Sequence, residues 1–250
     1  MNYGLWMSAA GLSTEMHRQD VISNNLANAQ TAGFKADHTF TRERPIAREE
    51  LGLDVPSQLL LERLGGGVLV EPTWTDFAQG GFTAGGDLDL AISGSGFFVV
   101  RDGEGEAFTR DGGFNRGVRG ELVDDDGRQV MSVRNRPIRL PETGTVSIGQ
   151  DGTISVDGES IDRIRVAGPD TDRLRKSGDN VYRYLGTGKV PDAGDDVAVK
   201  QGWIEDSGVD PVRSMTDLVA SSRAVQASAR FIDLHDRMME LAVNRLGAVA

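Results

Sequence analysis

The 250-residue sequence contains no cysteine, which removes disulfides, thiolate nucleophiles and cysteine-ligated metals together. Aromatic residues make up only 6%, and no apolar run approaches the roughly 18 residues that span a bilayer, so membrane insertion is not expected. The first basic residue is Arg18, so the charged start of a cleavable signal peptide is not expected either. Lys and Arg are nowhere clustered, which argues against nucleic acid as a partner. The three histidines, His17, His38 and His235, are far apart, and His17 and His235 read as exposed helix residues rather than ligands. Neither H-E-x-x-H nor G-x-S-x-G occurs, and "GTGKV" (186–190) lacks both the upstream Gly and the Ser/Thr of a phosphate-binding loop. "DDDG" (124–127) lacks the alternating ligand spacing of a calcium loop and reads as a turn. Carboxylates abound, but a solvated β surface accounts for them. No catalytic residue, metal or cofactor is therefore expected, and the chain does not read as an enzyme.

What the sequence does contain is a strong division into regions. The formal net charge is −11, and residues 36–200 carry 29 acids against 20 bases. The ends are nearly neutral, with two acids and two bases in 1–35 and seven acids and five bases in 201–250. Twenty-five of the 32 glycines lie between Gly65 and Gly194.

Both ends have helical periodicity. Leu5, Leu12, Gln19 and Leu26 recur every seven residues, and Ala9, Met16 and Ser23 form a second series four positions later. Near the other end, Met215, Leu218, Ser222, Val225, Ala229, Ile232, Asp236, Met239, Val243 and Leu246 alternate spacings of three and four. Pro211 suits the first turn of that helix, with Asp210 as its N-cap. A single amphipathic helix needs something to cover its stripe. The two helices can pair within one chain as a stalk, and their small seam residues also allow close packing against neighbouring copies.

The middle reads as short strands. Asp-Gly pairs at 102–103, 111–112, 126–127, 151–152 and 157–158 favour tight turns. Val146 and Ile148, then Ile154 and Val156, flank a "QDG" turn, and "GFFVV" (96–100) reads as a strand buried on both faces. The expected fold is α+β: long N- and C-terminal helices forming a coiled-coil-like stalk, with an irregular antiparallel β-rich middle domain. The expected division is 1–36 for the first helix and its end motif, 37–80 for a variable connection, 81–200 for the β domain and 201–250 for the last helix. A short helix is expected around Ser57–Leu64.

"NNLANAQTAGFK" (24–35) closes the first helical pattern. Gly33 is suited to the left-handed residue beyond a helix end, and Phe34 can fold back as an apolar plug. An ordinary C-cap does not explain Asn24, Asn25 and Asn28 together, because Asn is a mediocre helix former. The run resembles the signature of the flagellar basal-body rod and hook protein family, at Asn24, Asn25, Leu26, Ala27, Asn28, Thr31, Gly33, Phe34 and Lys35. "DLDLAISGSGFFVV" (87–100), "FTRDGGF" (108–114), "GELVDDDGRQV" (120–130) and "QGWIEDSGVDPVRSM" (201–215) are similar to further family segments, in the family's order. Gly208 stands where the family usually has Asn.

This resemblance, closer to rod members than to the larger hook protein, implies a structural subunit of an axial tube that transmits torque. It implies self-assembly with other copies and other rod subunits, and a location in the basal-body rod, in the periplasm. It also implies export by the flagellar type III apparatus without a cleavable signal peptide. Leu5, Leu12, Met16 and Leu26 on one helix would then be subunit-interface residues. Met215, Leu218, Val225, Ile232, Met239, Val243 and Leu246 would serve on the other. Asn24, Asn25, Asn28, Thr31, Gly33, Phe34 and Lys35 would form a corner motif. The alternative from the β-rich middle alone is a secreted binding module or adhesin.

Overall fold

The computed structural model describes residues 3–43, 68–103, 105–194 and 196–247. The short helix expected around Ser57–Leu64 lies outside the described residues, as do the side chains of Val243 and Leu246. The class is α+β, with helices at both ends and a β-rich middle. The chain divides into two units, each assembled from separated stretches: residues 1–27, 37–76 and 210–250 form the first, and 28–36 with 77–209 form the second.

The first unit holds helix α1 (Tyr3–Ala27) and helix α2 (Pro211–Gly247). At 1.5 Å per residue they are about 37 and 55 Å long. Helix α2 starts where its cap dictates: Asp210 Oδ1 accepts the amides of Val212 and Arg213 at 2.9 and 3.1 Å. The helices pack on each other through small residues, and Ser221 Oγ donates to the Glu15 carbonyl at 3.2 Å. Thr14 and Ser221 are both buried there. Two antiparallel strand pairs complete the unit, Asp37–His38 with Trp74–Thr75 and Thr41–Glu43 with Val68–Val70. His17 and His235 are half-buried, not exposed as their sequence setting implied. His235 Nε2 lies 3.5 Å from where a side chain on Gly4 would begin, an ordinary contact distance.

The strands of the second unit all pair antiparallel, with one short 3-10 helix, Thr171–Arg173, among the described residues. Its largest sheet runs Leu174–Lys176, Tyr182–Tyr184, Gly105–Thr109, Phe97–Asp102, Gln129–Val130, Leu122–Val123 and Asn115–Arg116, with Val166–Ala167 also paired to Phe97–Asp102. "GFFVV" becomes the strand Phe97–Asp102 and lies between two cores. Phe98 and Val100 join Leu90, Leu122, Ile138 and Ile154, while Phe97 and Val99 join Phe108, Met131 and Tyr182. A separate sheet pairs Val146–Ile148 with Thr153–Val156 across the "QDG" turn, in the register Ile148 to Ile154 and Val146 to Val156. "DDDG" is a turn closed by Asp124 Oδ1, which accepts the amides of Asp126 and Arg128. Asp124 also pairs with the Arg128 guanidinium at 3.1 Å.

Gly112 serves a close approach. Its carbonyl accepts the Leu90 amide at 3.0 Å, and a Cβ on Gly112 would overlap the Leu90 carbonyl. Gly112→Ala must therefore force its loop away from the strand Leu90–Ser93, beside the Phe98 ring. We expect it to lower the unfolding free energy by about 3 kcal/mol in urea denaturation, at the upper end of ordinary point substitutions.

Candidate functional site

The sequence motif at the end of α1 is split between the units. Asn24 and Asn25 end the helical part, and Asn28–Ala36 belongs to the β unit. Asn25 is buried, and its amide closes a two-way contact with the Asp37 backbone. Nδ2 donates to the Asp37 carbonyl at 2.7 Å and Oδ1 accepts the Asp37 amide at 3.0 Å. Asn24 is exposed. Asn28 starts a turn: its carbonyl accepts the Thr31 amide at 3.1 Å, and its Oδ1 accepts the Thr31 hydroxyl at 3.2 Å.

Gly33 has φ +63°, in the left-handed region. Its amide donates to the Glu205 carbonyl at 2.8 Å. A Cβ on Gly33 would fall inside contact distance of the Arg110 carbonyl and the Asp111 amide. Glycine is thus required twice over, by backbone conformation and by space. Phe34 is buried with Ala36 and Val209, and Lys176 Nζ sits 4.1 Å from its ring centroid. The same Nζ donates to the Lys35 carbonyl at 2.7 Å, and Asn180 Nδ2 donates to the Ala32 carbonyl at 2.6 Å.

Lys35 lies at the centre of this packing, with 0% of its surface exposed. Its ammonium meets Glu205 Oε1 at 2.6 Å and the Ala78 carbonyl at 2.7 Å. Glu205, also at 0% exposure, accepts the Gly80 amide at Oε1 and Arg110 Nη1 at Oε2, 3.1 Å away. Arg110 reaches on to the Ile92 and Gly94 carbonyls. Burial lowers the Arg110 pKa from its usual value, and the Glu205 charge and hydrogen bond oppose that shift. Two cations and one anion are thus held out of water, tied together by surrounding backbone groups.

Next in the chain, Asp111 is pushed up to about 6. Burial is the main cause and the Asp125 and Asp124 charges add to it, while the Gly113 amide and the Asn180 side chain oppose it. Among the described residues no group of three or more His, Asp or Glu side chains is arranged to hold a metal. No helix among them is long and apolar enough to cross a membrane.

The helix residues singled out from the sequence fall into two sets. Leu5, Leu12, Leu26, Leu218, Val225 and Ile232 are half-buried within the first unit. Met16, Met215 and Met239 are exposed at 52%, 54% and 39%. The face of α2 that is covered within the unit runs Ser214, Leu218, Ser221, Val225, Ser228, Ile232 and His235, alternating polar and apolar residues. A second apolar row, Phe231, Leu234, Met238 and Leu241, is exposed. It was not singled out, although its spacing of three, four and three is readable in the sequence. It lay hidden because a helix with apolar residues on two faces reads as one broad stripe. Glu205 and Arg110 were also missed, since nothing local distinguishes them from solvated charges.

Three family models match the chain. They are "Flagella basal body rod protein" at residues 7–35, "Flagellar hook protein FlgE/F/G D1 domain" at 91–156 and "Flagellar basal body rod FlgEFG protein C-terminal" at 200–246. The chain is 34% identical to a flagellar basal-body rod protein FlgF of Caulobacter vibrioides, over the whole of both chains. It is 30% identical to a flagellar basal-body rod protein FlgG of Bacillus subtilis, covering 96% of this chain and 97% of that one. It is 27% identical to the FlgF protein of Salmonella typhimurium, covering 93% of each.

Two substitutions test this geometry. Glu205→Ala removes the carboxylate that both buried cations share and should cost about 3–5 kcal/mol in denaturant unfolding, as broken buried pairs do. Asp111→Asn should stabilise the protein at pH 7.5. The folded pKa of about 6 lies above the unfolded value of 3.8, so the stability that Asp111 contributes when neutral is present below 3.8 and is lost as pH rises through 6. The gain from Asp111→Asn should therefore shrink as the pH falls toward 3.8, which unfolding curves across that range will show.

Proposed function

The chain belongs to the flagellar basal-body rod protein family, and on that premise we propose how it works as a subunit of the rod. It is a structural protein of the flagellar basal body, not an enzyme. Copies of it, with other rod subunits, build an axial helical tube that transmits torque. Such a lattice is a heterologous assembly that does not close on itself. The terminal helices form its inner, coiled-coil-like layer. The chain reaches its periplasmic position through the flagellar type III export apparatus. Full-length similarity to a FlgF protein favours the proximal part of the rod over the distal part.

The observation that carries this reading is the apolar surface left open on the helices. Phe231, Leu234, Met238 and Leu241 on α2 are each more than half exposed, and Trp6, Met7 and Met16 on α1 are exposed at 40–52%. Single exposed apolar residues need no explanation, but a row at helical spacing in an otherwise charged chain does. Packing between copies covers that row, while Leu5, Leu12, Leu26, Leu218, Val225 and Ile232 hold the two helices of one copy together. The corner motif, from Asn24 to Lys35, fixes where the helical layer ends and the β unit begins. The matched relatives are rod proteins, and the reading as a secreted binding module is not taken further.

The deciding experiment is location. The chain should be found by mass spectrometry in detergent-resistant basal bodies, and its deletion should abolish swimming. A Phe231→Asp, Met238→Asp variant should keep its far-UV circular dichroism, yet be absent from those particles. Normal swimming of the deletion strain would contradict the reading.

A further inference from the structure

The β unit carries a projection, and beside the buried charge cluster a cavity with Arg110 in its wall. The projection is the turn Gly117–Gly120, which joins the strands Asn115–Arg116 and Leu122–Val123. It is closed by the Gly120 amide on the Gly117 carbonyl at 3.0 Å and the Gly117 amide on the Glu121 carbonyl at 2.7 Å. The Leu140 amide on the Gly120 carbonyl, at 2.7 Å, anchors it from outside. This well-tied turn presents Val118, fully exposed, and Arg119, exposed beside it. A β-branched apolar residue is unusual at a turn tip, where Asn, Asp and Gly are favoured.

The cavity has a volume of about 290 Å³. Phe77, Phe97 and Pro169 give it apolar walls, and Gln79, Ser95 and Arg110 supply polar ones. The Arg110 guanidinium lies 5.2 Å from the Phe97 ring centroid. Its size falls at the bottom of the range for small-molecule clefts and suits a single side chain. The rim at Thr171 is flanked by the exposed Asp170 and Asp172, of which Asp170 is paired with the exposed Arg173 at 3.4 Å.

The two features lie apart on the large sheet. The turn joins strands at the Asn115–Arg116 edge, whereas the cavity wall Phe97 lies in the central strand, three strand spacings away, roughly 14 Å. Val118 is fully exposed and so does not fill the cavity of its own copy. An apolar tip with a basic residue, and a largely apolar socket with acidic residues on its rim, are complementary. That is the arrangement a head-to-tail contact between copies requires.

We propose that Val118 of one copy seats in this cavity of the next copy, with Arg119 against the Asp170 and Asp172 rim. The proposal rests on the rod reading and adds to it a defined contact between β units. The absence of native cysteine makes cross-linking selective. The test uses full-length chains carrying V118C with S95C, incorporated into basal bodies and treated with a short thiol cross-linker. A ladder of linked chains is expected, and V118C with S147C, on a different sheet, should give none. Particles that contain the V118C/S95C chain without a ladder would overturn this contact and leave the rod reading intact. Particles lacking the unmodified chain would overturn the rod reading itself, and the contact with it. Because cysteine at 118 could weaken the contact, a second pair reads it by charge. R119E should reduce incorporation and D172R should restore it in the double variant, whereas failure of that rescue counts against the contact.

Discussion

Three buried charges organise the β unit. Lys35, Arg110 and Glu205 come from far-separated parts of the sequence, and Lys35 and Glu205 are wholly out of water. Desolvating such a group costs several kcal/mol per ion unless geometry and hydrogen bonding compensate. Here they do. The ammonium has a carboxylate and a carbonyl, the carboxylate has both cations and the Gly80 amide, and the guanidinium has two carbonyls. Such a cluster adds little net stability over an apolar core of the same shape, but it tolerates no other partner or register. It therefore specifies where residue 35 must be.

The rest of the corner follows from that fixed point. With Lys35 pinned, Phe34 is held against Val209 and under Lys176, and Gly33 must pass the Arg110 backbone where no side chain fits. The amide of Gly33 and the side-chain amide of Asn180 complete the attachment on the preceding residues. Segment 28–36 is thus part of the β unit although it follows α1 directly.

The sequence disclosed the elements better than their partners. Periodicity placed both helices, the Asp210 cap and Pro211 located the start of α2, and the "QDG" turn set the register of Ile148 on Ile154. Gly33 and Phe34 were readable because backbone conformation and a lone aromatic leave local marks. What stayed hidden was long-range. Lys35 and Glu205 are 170 residues apart, and alone each looks like an ordinary surface charge. Helix phase was only partly readable: in the seam expected from leucine and methionine spacing, Met16, Met215 and Met239 point outward, while Leu5, Leu12, Leu218, Val225 and Ile232 are half-buried. The face that is covered mixes Leu218, Val225 and Ile232 with serines and a histidine, residues that hydropathy assigns to solvent.

The claim on which this account turns is that Asn28–Ala36 belongs mechanically to the β unit. Amide hydrogen exchange on the free chain tests it most directly. The Gly33 and Phe34 amides should exchange as slowly as those of Phe98 and Val100 in the central strand, and more slowly than those in the exposed second half of α2. Exchange of the 28–36 segment on the fast time scale of a linker, with the central strand still protected, would contradict it.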